Sequence, residues 1–138
     1  MTLQVELVVP EGEVWAGPAQ MVIAKTLDGD IGVLTGHTPV LGILAEGSVV
    51  RIMPEDGADG SEIIAAVGGG FFSVADDRVS VLARQAQLGR EVDTRAAQAA
   101  LDDALQDAGA SVRGDEESAD VRYFRALLRA VGDSADRP

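Results

Sequence analysis

The chain has 138 residues, 46% of them hydrophobic, which fits one compact domain with an appendage and excludes wholesale disorder. Eleven Lys and Arg stand against 23 Asp and Glu, a formal charge of −12. That balance disfavours nucleic acid, because a phosphate backbone needs a basic face. With no Cys, disulfides, thiolate metal sites and cysteine nucleophiles are excluded, and one His leaves little for a metal centre or a triad.

The first residues, Met1-Thr2-Leu3-Gln4-Val5-Glu6, lack the positive segment of a signal peptide. The longest apolar stretch, Ile31 to Ala45, is interrupted by Thr35, His37, Thr38 and Pro39 and is too short to span a bilayer. A soluble, cytoplasmic protein is expected.

Up to Ala83 the pattern is that of short strands. Leu3, Val5, Leu7 and Val9 alternate with Gln4, Glu6 and Val8, the period of a half-buried strand. Further strands are expected at Gln20–Leu27, Val40–Leu44, Ser48–Met53, Glu62–Val67, Phe71–Val74 and Arg78–Ala83. Turn pairs such as Asp28-Gly29, Glu46-Gly47 and Asp76-Asp77 lie between them. Many short strands at roughly ten-residue spacing, without interposed helices, predict an antiparallel sandwich or barrel.

Composition shifts near residue 88, dividing the chain into a β-sandwich at 1–88 and a two-helix segment at 89–138. Ala97, Leu101, Ala104, Leu105 and Ala108 recur at helical spacing, with Asp93 or Thr94 as cap and Gly109 as stop. A second helix over Ala119–Val131 lines up Val121, Phe124, Leu128 and Val131, and Gly132 is its expected end. An Ala-rich hairpin this short supplies at most ~3–5 kcal/mol from its own core. It must therefore dock on its own sandwich or on a partner, or populate more than one arrangement.

Arg122, Arg125 and Arg129 form one stripe on the second helix, with no acid from Val121 to Val131. They are either a solvated face paired with Asp115, Glu116, Glu117 or Asp120, or a surface for an acidic partner. No catalytic residue emerges. There is no phosphate loop, and Gly68-Gly69-Gly70 reads as a bulge or close backbone approach rather than an anion cradle. His37, in Gly36-His37-Thr38-Pro39, has no nucleophile beside it and reads as a hydrogen-bonded loop residue. Asp76-Asp77 and Asp102-Asp103 point apart and read as a turn and a solvated helix face. Trp15 reads as a packed aromatic, and Arg113-Gly114-Asp115 as a chance match. No cofactor or metal is expected.

Three segments resemble the epsilon subunit of bacterial F-type ATP synthases. They are Val8-Val9-Pro10-Glu11-Gly12-Glu13-Val14-Trp15-Ala16-Gly17, the long signature Gly29-Asp30-Ile31-Gly32-Val33-Leu34-Thr35-Gly36-His37-Thr38-Pro39-Val40-Leu41, and Val67-Gly68-Gly69-Gly70-Phe71-Phe72-Ser73-Val74 with Val79-Ser80-Val81-Leu82-Ala83. The resemblance implies a ten-stranded sandwich with a C-terminal helical pair. It implies a non-catalytic rotor subunit that grips gamma and rests on the c-ring, held peripherally at the cytoplasmic face of the membrane only through the complex. Asp30, in place of the family's usual Glu, and His37 would face the c-ring.

The same resemblance implies helices that either fold on the sandwich or extend into the catalytic head and inhibit ATP hydrolysis. Arg122, Arg125 and Arg129 are then the charge-based candidates for meeting the alpha and beta subunits. Some relatives bind ATP through a hydrophobic-Asp-x-x-Arg-Ala element. Here Val92-Asp93-Thr94-Arg95-Ala96 has one residue fewer between Asp and Arg, which turns Arg95 about 100° around a helix and argues against ATP binding. The alternative function is a free-standing small-ligand-binding sandwich with a helical lid.

Overall fold

The computed structural model describes residues 2–55, 62–111 and 119–135. Nine strands are found among them: β1 (Leu3–Val9), β2 (Gly12–Thr26), β3 (Gly29–Val33), β4 (Val40–Ile43), β5 (Ser48–Pro54), β6 (Ile63–Val67), β7 (Gly70–Ala75), β8 (Arg78–Ala83) and β9 (Ala86–Leu88). A 3₁₀ turn at Gly89–Glu91 leads to α1 (Thr94–Ser111) and α2 (Ala119–Ala135). No helix in the described residues is long and apolar enough to cross a membrane.

The strands run in the order β4-β7-β8-β1-β2-β5-β6-β9, with β3 on the free side of β2. They form the expected β-sandwich, with one departure: β1 and β8 pair in parallel, Val5 opposite Val79 and Leu7 opposite Val81. β2 is long enough to serve both layers. Its first half pairs with β1, and its second half pairs with β5 and β3. The register slips between Ala19 and Met21, and such a bulge is where a strand bends from one layer to the other.

Between the layers lie Leu3, Val5, Leu7, Val22, Val50, Ile52, Phe72, Val74, Val79 and Val81, all buried. Their alternation along each strand is the period-2 pattern of the sequence made physical. β6 breaks that pattern because both its faces are covered, its five residues all buried. Ile63, Ala65 and Val67 join the sandwich core, whereas Ile64 and Ala66 face the helices.

There α2 seats Tyr123, Ala126, Leu127 and Ala130, with Ala97 of α1 completing the cluster. The helical pair thus docks on its own sandwich, mostly through α2, while α1 is carried on α2. The seam is thin: burying a side chain such as Leu127 or Ile64 is worth about 1.5–3 kcal/mol, and the alanines add less. Burial pushes the Tyr123 phenol above its ordinary value of 10.0.

Asp93 is the cap of α1, its Oδ1 accepting the Ala96 N–H at 3.2 Å. Gly109 and Gly132 do not end their helices, which continue to Ser111 and Ala135. One glycine within a helix costs only about 1 kcal/mol, too little to stop it where the flanking residues favour it.

Candidate functional site

Two neighbouring Phe residues on one strand must point to opposite faces. Phe72 enters the core, and Phe71 is left 47% exposed on the outer face of β7. Directly opposite it stand Ile43 on β4 and Leu82 on β8, and Val8 on β1 lies next in line beyond Leu82. One register row across four strands is therefore apolar and faces out. Leu41 shares the face, two residues from Ile43, and is 72% exposed. Leu27, 68% exposed, adjoins the row because its N–H donates to the Ile43 carbonyl at 3.0 Å. A contiguous exposed patch of this kind marks an interaction surface.

The Leu34–Pro39 loop follows β3. His37 N–H donates to the Leu34 carbonyl at 3.2 Å, closing a turn in which Gly36 takes φ 80°, a conformation suited to glycine. His37 is half-buried, and its Nδ1 lies 2.6 Å from the Thr38 carbonyl. A carbonyl can only accept, so Nδ1 carries the proton and Nε2 is the ring's remaining polar atom. The Gly36 N–H donates to Asp77 Oδ1 at 2.7 Å, tying this loop to the β7–β8 turn.

Arg122, Arg125 and Arg129 are brought together along a groove between α2 and the sandwich. With Lys25, Leu27 and the Ala45–Ser48 segment they line a cavity of about 410 Å³. Arg129 donates to the Gly47 carbonyl at 2.8 Å. A second cavity of about 220 Å³ continues the groove and shares Lys25 and Arg129 with the first, adding Asp30 and Arg51. Asp30 lies opposite Lys25 across β2 and β3. It thus sits at the start of β3 in ionic surroundings, whereas His37 sits in the loop beyond the end of that strand.

The sandwich matches the family model "ATP synthase, Delta/Epsilon chain, beta-sandwich domain" over residues 2–89. An ATP synthase epsilon chain of Thermobifida fusca is 51% identical over 131 residues, covering 94% of this chain and 91% of the relative. The chain belongs to the ATP synthase epsilon family. The Streptomyces griseus epsilon chain is 46% identical over 127 residues, covering 92% of this chain and 97% of that one. In solved structures, the fold recurs in a chain of the Euglena gracilis mitochondrial ATP synthase (OSCP/F1/c-ring) with a TM-score of 0.73 at 23% identity, covering 94% of this chain and 81% of that one. It recurs again in the central stalk/c-ring structure of the Tetrahymena thermophila enzyme, with a TM-score of 0.57 at 14% identity, covering 95% and 91%.

Gly70 lies so close to the Leu82 carbonyl that a Cβ would collide with it, so the glycine run is a close backbone approach. Trp15 packs on the core with its indole across Gly17, 3.1 Å from where a Cβ would be. Asp102 and Asp103 are exposed on α1, and Arg95 is exposed two residues past the Asp93 cap. Arg113-Gly114-Asp115 and the acids Asp115, Glu116 and Glu117 lie outside the described residues. The apolar row was missed from the sequence. Its signal was there in Phe71-Phe72, one of which must face outward, and in Leu41 and Ile43, which share one face of their strand.

Proposed function

We propose that this chain is a non-catalytic central-stalk subunit of the F-type ATP synthase, coupling c-ring rotation to the catalytic head through gamma. The observation that carries the reading is the exposed row Ile43–Phe71–Leu82 on a body whose two layers share one packed core. A subunit that transmits torque needs a stiff body and a large fixed contact, not an active site. Residues 1–88 supply the body, and the apolar row is its seat for gamma, with an apolar centre of the sort that binding interfaces bury. Asp30 and His37 face the c-ring loops, and the complex holds the chain peripherally at the cytoplasmic face of the membrane.

Residues 89–138 are the regulatory part. Their thin seam suits a two-state element, because a few kcal/mol of differential contact redistributes such a population. Undocking frees Arg122, Arg125 and Arg129 from the groove to meet acidic segments of the alpha and beta subunits, and this state inhibits ATP hydrolysis.

The test is capture of gamma by the purified chain, compared with the Phe71→Asp variant. Capture by the first and not the second is expected; failure of the unaltered chain to bind gamma overturns the reading. Hydrolysis by the complex lacking residues 89–138 is expected to rise, and unchanged hydrolysis removes the inhibitory role alone.

A further inference from the structure

The β7–β8 connection consists of Asp76 and Asp77, both in the left-handed region at φ 52° and 61°. Two-residue hairpin turns of this hand favour Gly at the second position, so Asp77 stands where glycine would relieve strain. A locally unfavourable residue of this kind points to a task for its side chain.

The task is visible in its contacts. Asp77 Oδ1 accepts the Gly36 N–H at 2.7 Å, joining segments 41 residues apart. Its main-chain carbonyl accepts the Gln4 N–H at 2.8 Å, so the same residue also holds the start of β1. Gly36 is the third residue of the Leu34–His37 turn, where the turn's own hydrogen bond is made by His37 and leaves the Gly36 N–H to seek a partner elsewhere. A charged acceptor on a neighbouring hairpin fixes that N–H far better than mobile water does.

We infer that Asp77 is a positioning residue for the Leu34–Pro39 loop, holding His37 and the exposed Leu34 in the orientation presented to the partner. This rests on the reading of that loop as c-ring-facing. Asn at 77 keeps both the oxygen acceptor and tolerance of the left-handed backbone, whereas Gly relieves the backbone and removes only the acceptor.

The experiment compares Asp77→Gly, Asp77→Asn and Leu34→Ser in the full-length chain. It measures thermal midpoint, Gly36 amide exchange, and ATP-driven proton pumping by the reconstituted complex. Asp77→Gly is expected to leave the midpoint equal or higher, to speed Gly36 exchange by about tenfold or more, and to lower pumping as Leu34→Ser does. Asp77→Asn is expected to restore both. Unchanged Gly36 exchange in Asp77→Gly overturns the inference. Faster exchange with full pumping, while Leu34→Ser pumps poorly, overturns it and leaves the loop reading standing. Full pumping in both variants overturns the loop reading, and the inference with it.

Discussion

Gly47 is gripped twice by α2: its carbonyl takes a hydrogen bond from Arg129, and its Cα lies against the main chain of Arg122. Its φ of 62° is in the left-handed region, and the residue is buried. A methyl group here would meet main-chain atoms that cannot swing aside. Gly47→Ala is therefore expected to cost about 2–4 kcal/mol, combining overpacking with left-handed strain. The cost should fall on the helical pair. Amide exchange in α2 should accelerate while β1 and β8 keep their protection; equal protection of α2 in both proteins would refute this latch.

Tyr123 gives the seam a dependence on alkali. Its folded pKa is raised by burial, so above pH about 10 the unfolded chain loses a proton that the folded one retains. Stability from this residue is complete below that pH and declines as pH climbs through the folded value. Thermal melts between pH 9 and 12 should show the decline, and Tyr123→Phe should remove that component of it. An identical alkaline profile for the variant would assign the loss elsewhere.

Phe71→Asp tests the outer face without the core. Phe71 projects into solvent, so folding stability should change by no more than about 0.5 kcal/mol. Partner capture should fall by at least tenfold, as expected if an anchor near the centre of an interface is lost. A large drop in melting temperature would show that Phe71 serves the fold instead.

Gly42 lies over the ring of Phe72, so close that a Cβ would overlap it. Phe72 is 1% exposed and fills the space between the layers. Gly42→Ala is expected to destabilise by about 1–3 kcal/mol. Adding Phe72→Leu should recover part of that loss, because the two sites share one volume. Strict additivity in a double-mutant cycle would rule out the shared volume.

Where burial follows alternation, the strands were legible: β1, β4, β5, β7 and β8 fall close to their expected bounds. The first half of β2 lies outside the strand expected at Gln20–Leu27, because Gly17-Pro18 interrupts the alternation there. Pro18 lies just before the bulge, and its carbonyl still accepts the Glu55 N–H at 3.2 Å. β3, Gly29–Val33, carries two glycines and is a strand because β2 provides a ladder for it, a tertiary effect no local pattern encodes. The three-residue β9 is held in the same way by β6.

The candidate site was legible only in part. Arg122, Arg125 and Arg129 share a groove because helical spacing dictates a shared stripe. Nothing in that spacing, however, foretold Lys25 or Gly47, which arrive through pairing of distant strands. The Asp77–Gly36 contact was equally invisible, since it depends on which loops meet at one end of the sandwich.

The parallel pairing of β1 with β8 has a consequence for how the molecule is made. β1 finds one of its two neighbours only after residue 78 has been synthesised. Until then β1 holds the β2 hairpin with its other edge bare, and the hydrophobic interior stays open. Maturation of this body is thus gated by the length already translated, and the helices, which follow β6 in the chain, find their seat on it already built.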